Sequence, residues 1–112
     1  MVPDVKIHPS TGLLLGKTFL CHGHSWPSAG FLRSDFLVIS HNHPLIELKD
    51  SLGYKWREKA WIRAELKQDI IKNQYNDCAQ LPELVIMPAF SNLVGGFAIN
   101  HITKKPLGPM VR

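Results

Sequence analysis

The sequence predicts a β-rich α+β fold, a mostly antiparallel or mixed sheet with little helix. Three observations point there. Apolar residues come in short runs, at residues 13–15, 36–39 and 84–87, and each run is closed by Gly, Ser or Pro. Residues 54–66 set Tyr54, Trp56, Ala60, Ile62, Ala64 and Leu66 against Lys55, Arg57, Arg63 and Glu65, close to a period of two. Turn-forming clusters recur between these stretches, notably Pro9-Ser10-Thr11-Gly12, Ser51-Leu52-Gly53 and Gly95-Gly96. The pattern sums to six to eight short strands in one domain spanning residues 1–112.

Taken in order, Val5 to His8 alternates weakly before the first turn cluster. Leu13 to Leu15, the Gly16-Lys17 turn and residues 18–21 read as an antiparallel pair. The stretch from Trp26 to Ser34 is a connection with room for one helical turn starting at Ser28. Residues 36–40 form the next strand. Pairing is expected to lapse at Pro44, which has no N–H to give a central ladder. Extended structure resumes over residues 45–48. Residues 54–66 suit a strand pair, or one long half-exposed strand with a bulge near Glu58 and Lys59. Their Trp, Tyr and Ile content favours strand over helix. Residues 68–79 are polar apart from Ile70, Ile71 and Tyr75 and suit one short helix or a loop. A strand over 84–87 stops at Pro88. The Gly-Gly loop suits a positive φ or a close backbone approach, and residues 97–102 make a last strand before a tail rich in Pro and Lys.

Four of the six histidines fall within residues 18–44, as His22 and His24, then His41 and His43. Each pair directly follows an apolar run. If the two runs are neighbouring strands, both His-x-His pairs stand on one rim of a sheet, where open α/β sheets bind their ligands. Imidazole is largely neutral near pH 7 and is the commonest protein metal ligand. This stretch is therefore a candidate metal site. Loop histidines held by hydrogen bonds are the plain alternative, and His8 and His101 read as ordinary surface residues.

Composition narrows the remaining choices. The chain has 112 residues and is 45% hydrophobic, enough to build a core. No apolar run approaches the ~20 residues of a membrane span, and the first residues lack the apolar stretch of a signal peptide. Cys21 lies in an apolar run and reads as a buried reduced thiol, which suits a cytoplasmic protein. The net charge of +4 usually marks a solvated face, but it also eases approach of phosphate esters or nucleic acid. Trp56 and Trp61 among Lys55, Arg57, Lys59 and Arg63 admit base stacking with phosphate contacts. Core aromatics backed by solvated cations are the favoured account.

The segments LCHGHSWPS and VISHNHP resemble the fourth and fifth metal motifs of the calcineurin-like metallophosphoesterases. There, one apolar strand ends in His-Gly and a later one in Gly-His-x-His. The stretches HPLIELKDSLGYKWREKAWIRAEL and IMPAFSNLVGGFAIN, with LGP after them, are similar to an archaeal and bacterial branch of ligase- or helicase-associated phosphoesterases. The resemblance covers nearly the whole chain, yet only the C-terminal half of the family's four-layer β-sandwich. It implies His22 and His41 as ligands of one divalent metal (Mn, Fe or Zn), His43 as a ligand of its neighbour, and His24 as a phosphate contact or a support for the loop.

Two departures accompany it. Ser40 stands where the family has Gly, which withdraws the easiest route to positive φ. The family's Asp-x-His, Gly-Asp and Gly-Asn-His-Asp motifs do not occur, so the carboxylate that bridges two metals is missing. Three imidazoles bring no negative charge, and two dications ~3.5–4 Å apart repel strongly without a bridge. One Zn²⁺ on three histidines is compatible with an open water position. Three readings follow. The chain is half of a phosphoesterase that works with a separate N-terminal half. It is instead a non-catalytic oligomeric relic, for which a metal-free protein would speak, as sub-stoichiometric metal would for a surviving half-site. Or it is a metal- or nucleic-acid-binding module. A half-sandwich is expected to be one sheet with an open apolar face, which predicts a homo-oligomer.

Overall fold

The computed structural model describes residues 4–75, 80–91, 93 and 95–100. Among these residues, eight short strands build two sheets. β1 (Leu13–Leu15), β2 (Thr18–Leu20), β3 (Phe36–Ile39), β7 (Glu83–Ile86) and β6 (Ile62–Glu65) make a five-stranded sheet in the order β1-β2-β3-β7-β6. β5 (Lys55–Lys59), β4 (Pro44–Lys49) and β8 (Phe97–Ala98) make a three-stranded sheet in the order β5-β4-β8. Both are mixed. β2-β3-β7 is parallel at the centre of the large sheet, with β1 and β6 antiparallel at its edges. In the small sheet β5 runs antiparallel and β8 parallel to β4. The β-rich α+β class holds, with two sheets where one was expected.

Register explains the core. Phe19, Leu37 and Leu84 lie side by side across β2, β3 and β7, and Ile39 and Ile86 lie two residues further along. Strand residues two apart share a face, so these five side chains project from one side of the large sheet. All are buried. A 3-10 turn at Ala29–Arg33 and the helix α1 (Gln68–Gln74) cover that side, contributing Phe31 and Ile71. Phe31 meets Phe19 and Tyr75 edge-on, at ring separations of 6.3 and 5.0 Å. The Tyr75 hydroxyl donates to the Pro27 carbonyl, tying the end of α1 to the connection before the 3-10 turn. Burial, then the nearby Cys21 thiol, pushes the Tyr75 hydroxyl pKa up to about 12.

The opposite side of the large sheet carries Leu15, Leu20 and Phe36, which remain exposed, Phe36 by 40%. Parallel strands are normally covered on both faces, so this face, which also carries Thr18 and the Arg63–Glu83 ion pair, is unusually open. The molecule measures 49 × 48 × 19 Å with a radius of gyration of 16.0 Å, against ~13 Å for a spherical domain of about this size.

Several local expectations change. Val5 to His8 forms no strand. β4 starts at Pro44, because the first residue of a strand gives Pro a place where its carbonyl pairs and its missing N–H costs nothing; the Ala60 N–H donates to that carbonyl at 3.2 Å. Residues 54–66 break at Ala60–Trp61 into β5 and β6, which join different sheets. Trp56 is not core: it is 37% exposed, and Trp61 is 62% exposed. The turn at Ser28 is present, with Ser28 as its N-cap. Gly96 makes the close approach expected of the Gly pair: an added Cβ there meets the His43 carbonyl oxygen at 2.3 Å. Asn100 then continues the ladder with its side chain, accepting from the Glu47 N–H at 3.0 Å and donating to the Glu47 carbonyl at 2.8 Å. Cys78, Asn92 and His101 lie outside the described residues.

Candidate metal centre

β2 and β3 are parallel neighbours, so their carboxyl ends open on the same rim. The chain beyond β2 stays in register with the chain beyond β3. The Cys21 N–H donates to the Val38 carbonyl at 3.1 Å, and the Ser40 and His41 N–H groups both donate to the His22 carbonyl, at 3.0 and 2.8 Å. Backbone bonding thus carries the two His-bearing turns together past the last strand residue.

Gly23 lets them close. Its φ of 105° is one that L side chains rarely adopt, and an added Cβ would come within 3.0 Å of the Ile39 Cβ and 3.4 Å of the His41 Cβ. The other turn reverses at His43, the one described non-glycine residue with positive φ, at 46°. Ser40 needs no positive φ, so the Gly-to-Ser departure leaves this turn intact. Histidine tolerates the left-handed region better than most residues, and the chain places it at the step from β3 into β4.

The side chains converge. His22 Nε2 and His41 Nδ1 are 2.9 Å apart, a hydrogen-bonded pair in which one ring donates and the other accepts. Their ring centres lie 4.8 Å apart, and His24 stands 5.2 Å from His22 and 6.1 Å from His41. His43 is further off, 6.5 Å from His22. Its Nδ1 is buried with no hydrogen-bond partner among the described residues. A buried polar atom left so costs ~1–3 kcal/mol. Loss of water around the ring, then positive charge on His41, His24 and His43, holds the His22 pKa below the usual imidazole value. The neutral, ligand-competent form is therefore favoured at this position.

What this set fits can be tested against coordination geometry. Two nitrogens on one tetrahedral ion, each ~2.05 Å from it, are about 3.3 Å apart. The His22–His41 pair reaches that spacing by opening a few tenths of an ångström, with the ion replacing the shared proton. Among the described residues, however, no group of three or more His, Cys, Asp or Glu is arranged to hold a metal ion. The pair fits one ion as two of its ligands. It does not fit a complete two-metal centre. Cys21, next to His22, is free, and burial pushes its thiol pKa up to about 11, so it supplies no thiolate near neutral pH.

All four clustered histidines named from the sequence come together on this rim. Gly23's part in closing the turns was not read from the sequence, although Gly between two histidines was a visible signal. Comparison with protein-family models, with curated proteins and with solved structures returns no match for this chain. No helix among the described residues is long and apolar enough to cross a membrane.

Proposed function

We propose that this chain is the C-terminal half of a metal-dependent phosphoesterase. In this reading it presents His22 and His41 to one divalent ion and His43 to a second, and carboxylates from a complementary N-terminal half complete the centre. The observation that carries the reading is the 2.9 Å pairing of His22 Nε2 with His41 Nδ1 on the rim of two parallel strands. The orphaned Nδ1 of His43, on a ring 6.5 Å from His22, supports a second ligand position beside the first. A bound divalent metal would supply Lewis-acid polarisation of a phosphoryl oxygen and a nucleophilic hydroxide. The chain's own share is to hold neutral imidazoles in place, with His24 exposed beside them to face phosphate.

The open face with Leu15, Leu20 and Phe36 supports the same reading, because it is where a complementary half gains cover for the parallel strands. When that half is absent, a second copy of this chain is the natural occupant. The unpaired, inert Cys21 thiol suits a cytoplasmic setting.

The test combines this chain with a polypeptide carrying Asp-x-His, Gly-Asp and Gly-Asn-His-Asp and follows hydrolysis of bis-(p-nitrophenyl) phosphate with Mn²⁺. Hydrolysis by the mixture, by neither part alone, and not by a mixture containing His41→Ala is the expected result. A mixture that forms a complex yet shows no His41-dependent hydrolysis refutes the reading.

A further inference from the structure

The small sheet presents a surface that the histidine rim does not account for. β5 is an edge strand, exposed along its whole length. Its register with β4 pairs Lys49 with Lys55, Glu47 with Arg57, and Leu45 with Lys59. By the two-residue period of a strand, Lys55, Arg57 and Lys59 share one face and recur every ~6.8 Å along it; the Lys59 ammonium also donates to the Phe90 carbonyl at 3.3 Å and keeps two N–H groups for a phosphate. Tyr54 and Trp56 share the other face, their rings stacked at 6.0 Å and 24°, and 67% and 37% exposed.

Two features argue against a merely solvated edge. Lysines commonly protect edge strands from unwanted pairing, which explains Lys55, Arg57 and Lys59. It does not explain Lys49, which sits on the central strand directly opposite Lys55, an arrangement of like charges that destabilises a sheet. Exposing a stacked Tyr-Trp pair on the same edge also works against that protection. Glu47 is the acid within the cationic face, and its backbone is occupied by Asn100. Glu58 lies on the aromatic side.

We propose that β5 and the facing end of β4 bind single-stranded nucleic acid. Repeated phosphates lie along Lys49, Lys55, Arg57 and Lys59, and bases at the edge stack on Tyr54 and Trp56. A polyanion relieves the Lys49–Lys55 repulsion, and stacking needs no particular base. β5 ends where the Ala60 N–H bonds Pro44, the residue after His43, so a bound strand runs toward the histidine rim. Such binding requires neither metal nor phosphoesterase activity.

The experiment is fluorescence anisotropy of labelled oligo(dT) of 20 nucleotides with the full chain, in EDTA. Four phosphate contacts predict affinity falling about 50-fold between 50 and 200 mM salt. Lys55→Glu with Arg57→Glu and Lys59→Glu is expected to remove most of the binding and flatten that salt dependence. Trp56→Ala weakens binding about 5-fold or more at either salt, and Trp56→Phe restores most of it. Circular dichroism checks that each variant is folded, and a Lys49→Gln variant supplies a milder charge test should the triple variant unfold. Three results overturn the proposal: no saturable binding at 50 mM salt, binding indifferent to the β5 and Lys49 charges, or poly-glutamate binding as tightly as oligo(dT). Binding lost on charge reversal but unchanged in Trp56→Ala overturns the stacking role and with it the preference for single strands.

Discussion

The two sheets of this small protein are built on opposite terms. The large sheet puts Phe19, Leu37, Ile39, Leu84 and Ile86 on one face and buries them under Phe31 and Ile71. Among the described side chains of the small sheet, Pro44 and Ala98 are the buried ones, and all of β5 is exposed. The difference separates two tasks. The large sheet fixes the rim from which His22 and His41 project, and placing two imidazoles within a hydrogen bond requires strands that do not shift. The small sheet is held mainly by its ladder and by the Asn100 clamp, which leaves its side chains available to solvent and partners.

The largest effects should therefore come from the large sheet. Phe31→Ala is expected to cost ~3–5 kcal/mol, because a fully buried ring is deleted from between Phe19 and Tyr75. Trp56→Ala on the small sheet should cost at most about 1 kcal/mol, as expected of a surface position. Urea denaturation compares them directly, and similar losses for the two would break the distinction between the sheets.

Gly23→Ala is the intermediate case. It imposes φ 105° on an L residue and crowds Ile39 and His41, with an expected cost of ~1–3 kcal/mol. The histidine NMR signals should move more than the core methyls do, since the clash lies in the turn. Uniform shifts across the large sheet would mean that the turns are not independently adjustable.

The smallest effect is electrostatic. His22 has a lower pKa folded than unfolded. The sign follows: the unfolded chain takes up the proton first, so stability is intact above the unfolded value of ~6.5 and is lost as pH falls through the folded one. An NMR titration should place His22 below the ordinary imidazole value. A His22 that titrates at or above it would mean the ring pair is not formed in solution.

Much of this arrangement was legible in the sequence. The apolar runs gave β1, β2, β3 and β7, since a strand buried on one face needs hydrophobic residues and little else. The placement of both His-x-His pairs beyond strands 2 and 3 followed from the same reading. The small sheet was harder. The alternation of residues 54–66 is equally compatible with one long strand, and nothing local reveals that Ala60 and Trp61 carry the chain from one sheet to the other. Trp56 looked like core because large aromatics usually are, and only the edge position of β5 leaves it exposed. Which residues of the apolar runs stay exposed, as Leu20 and Phe36 do, depends on what else covers the sheet, and sequence order does not show that. Lys49 is not singled out by the sequence, because its significance lies in its cross-strand pairing with Lys55, which sequence order does not display.

The central claim is that the histidine rim holds metal through His22 and His41. The most direct measurement is the metal content of purified protein by elemental analysis, made on the wild-type chain and on His41→Ala after loading with Zn²⁺ or Mn²⁺ and desalting. The account predicts metal on the wild-type chain, at or below one ion per chain, and its loss from folded His41→Ala. Equal metal on both proteins, or a wild-type chain that retains none even when mixed with the carboxylate-bearing half, would contradict it.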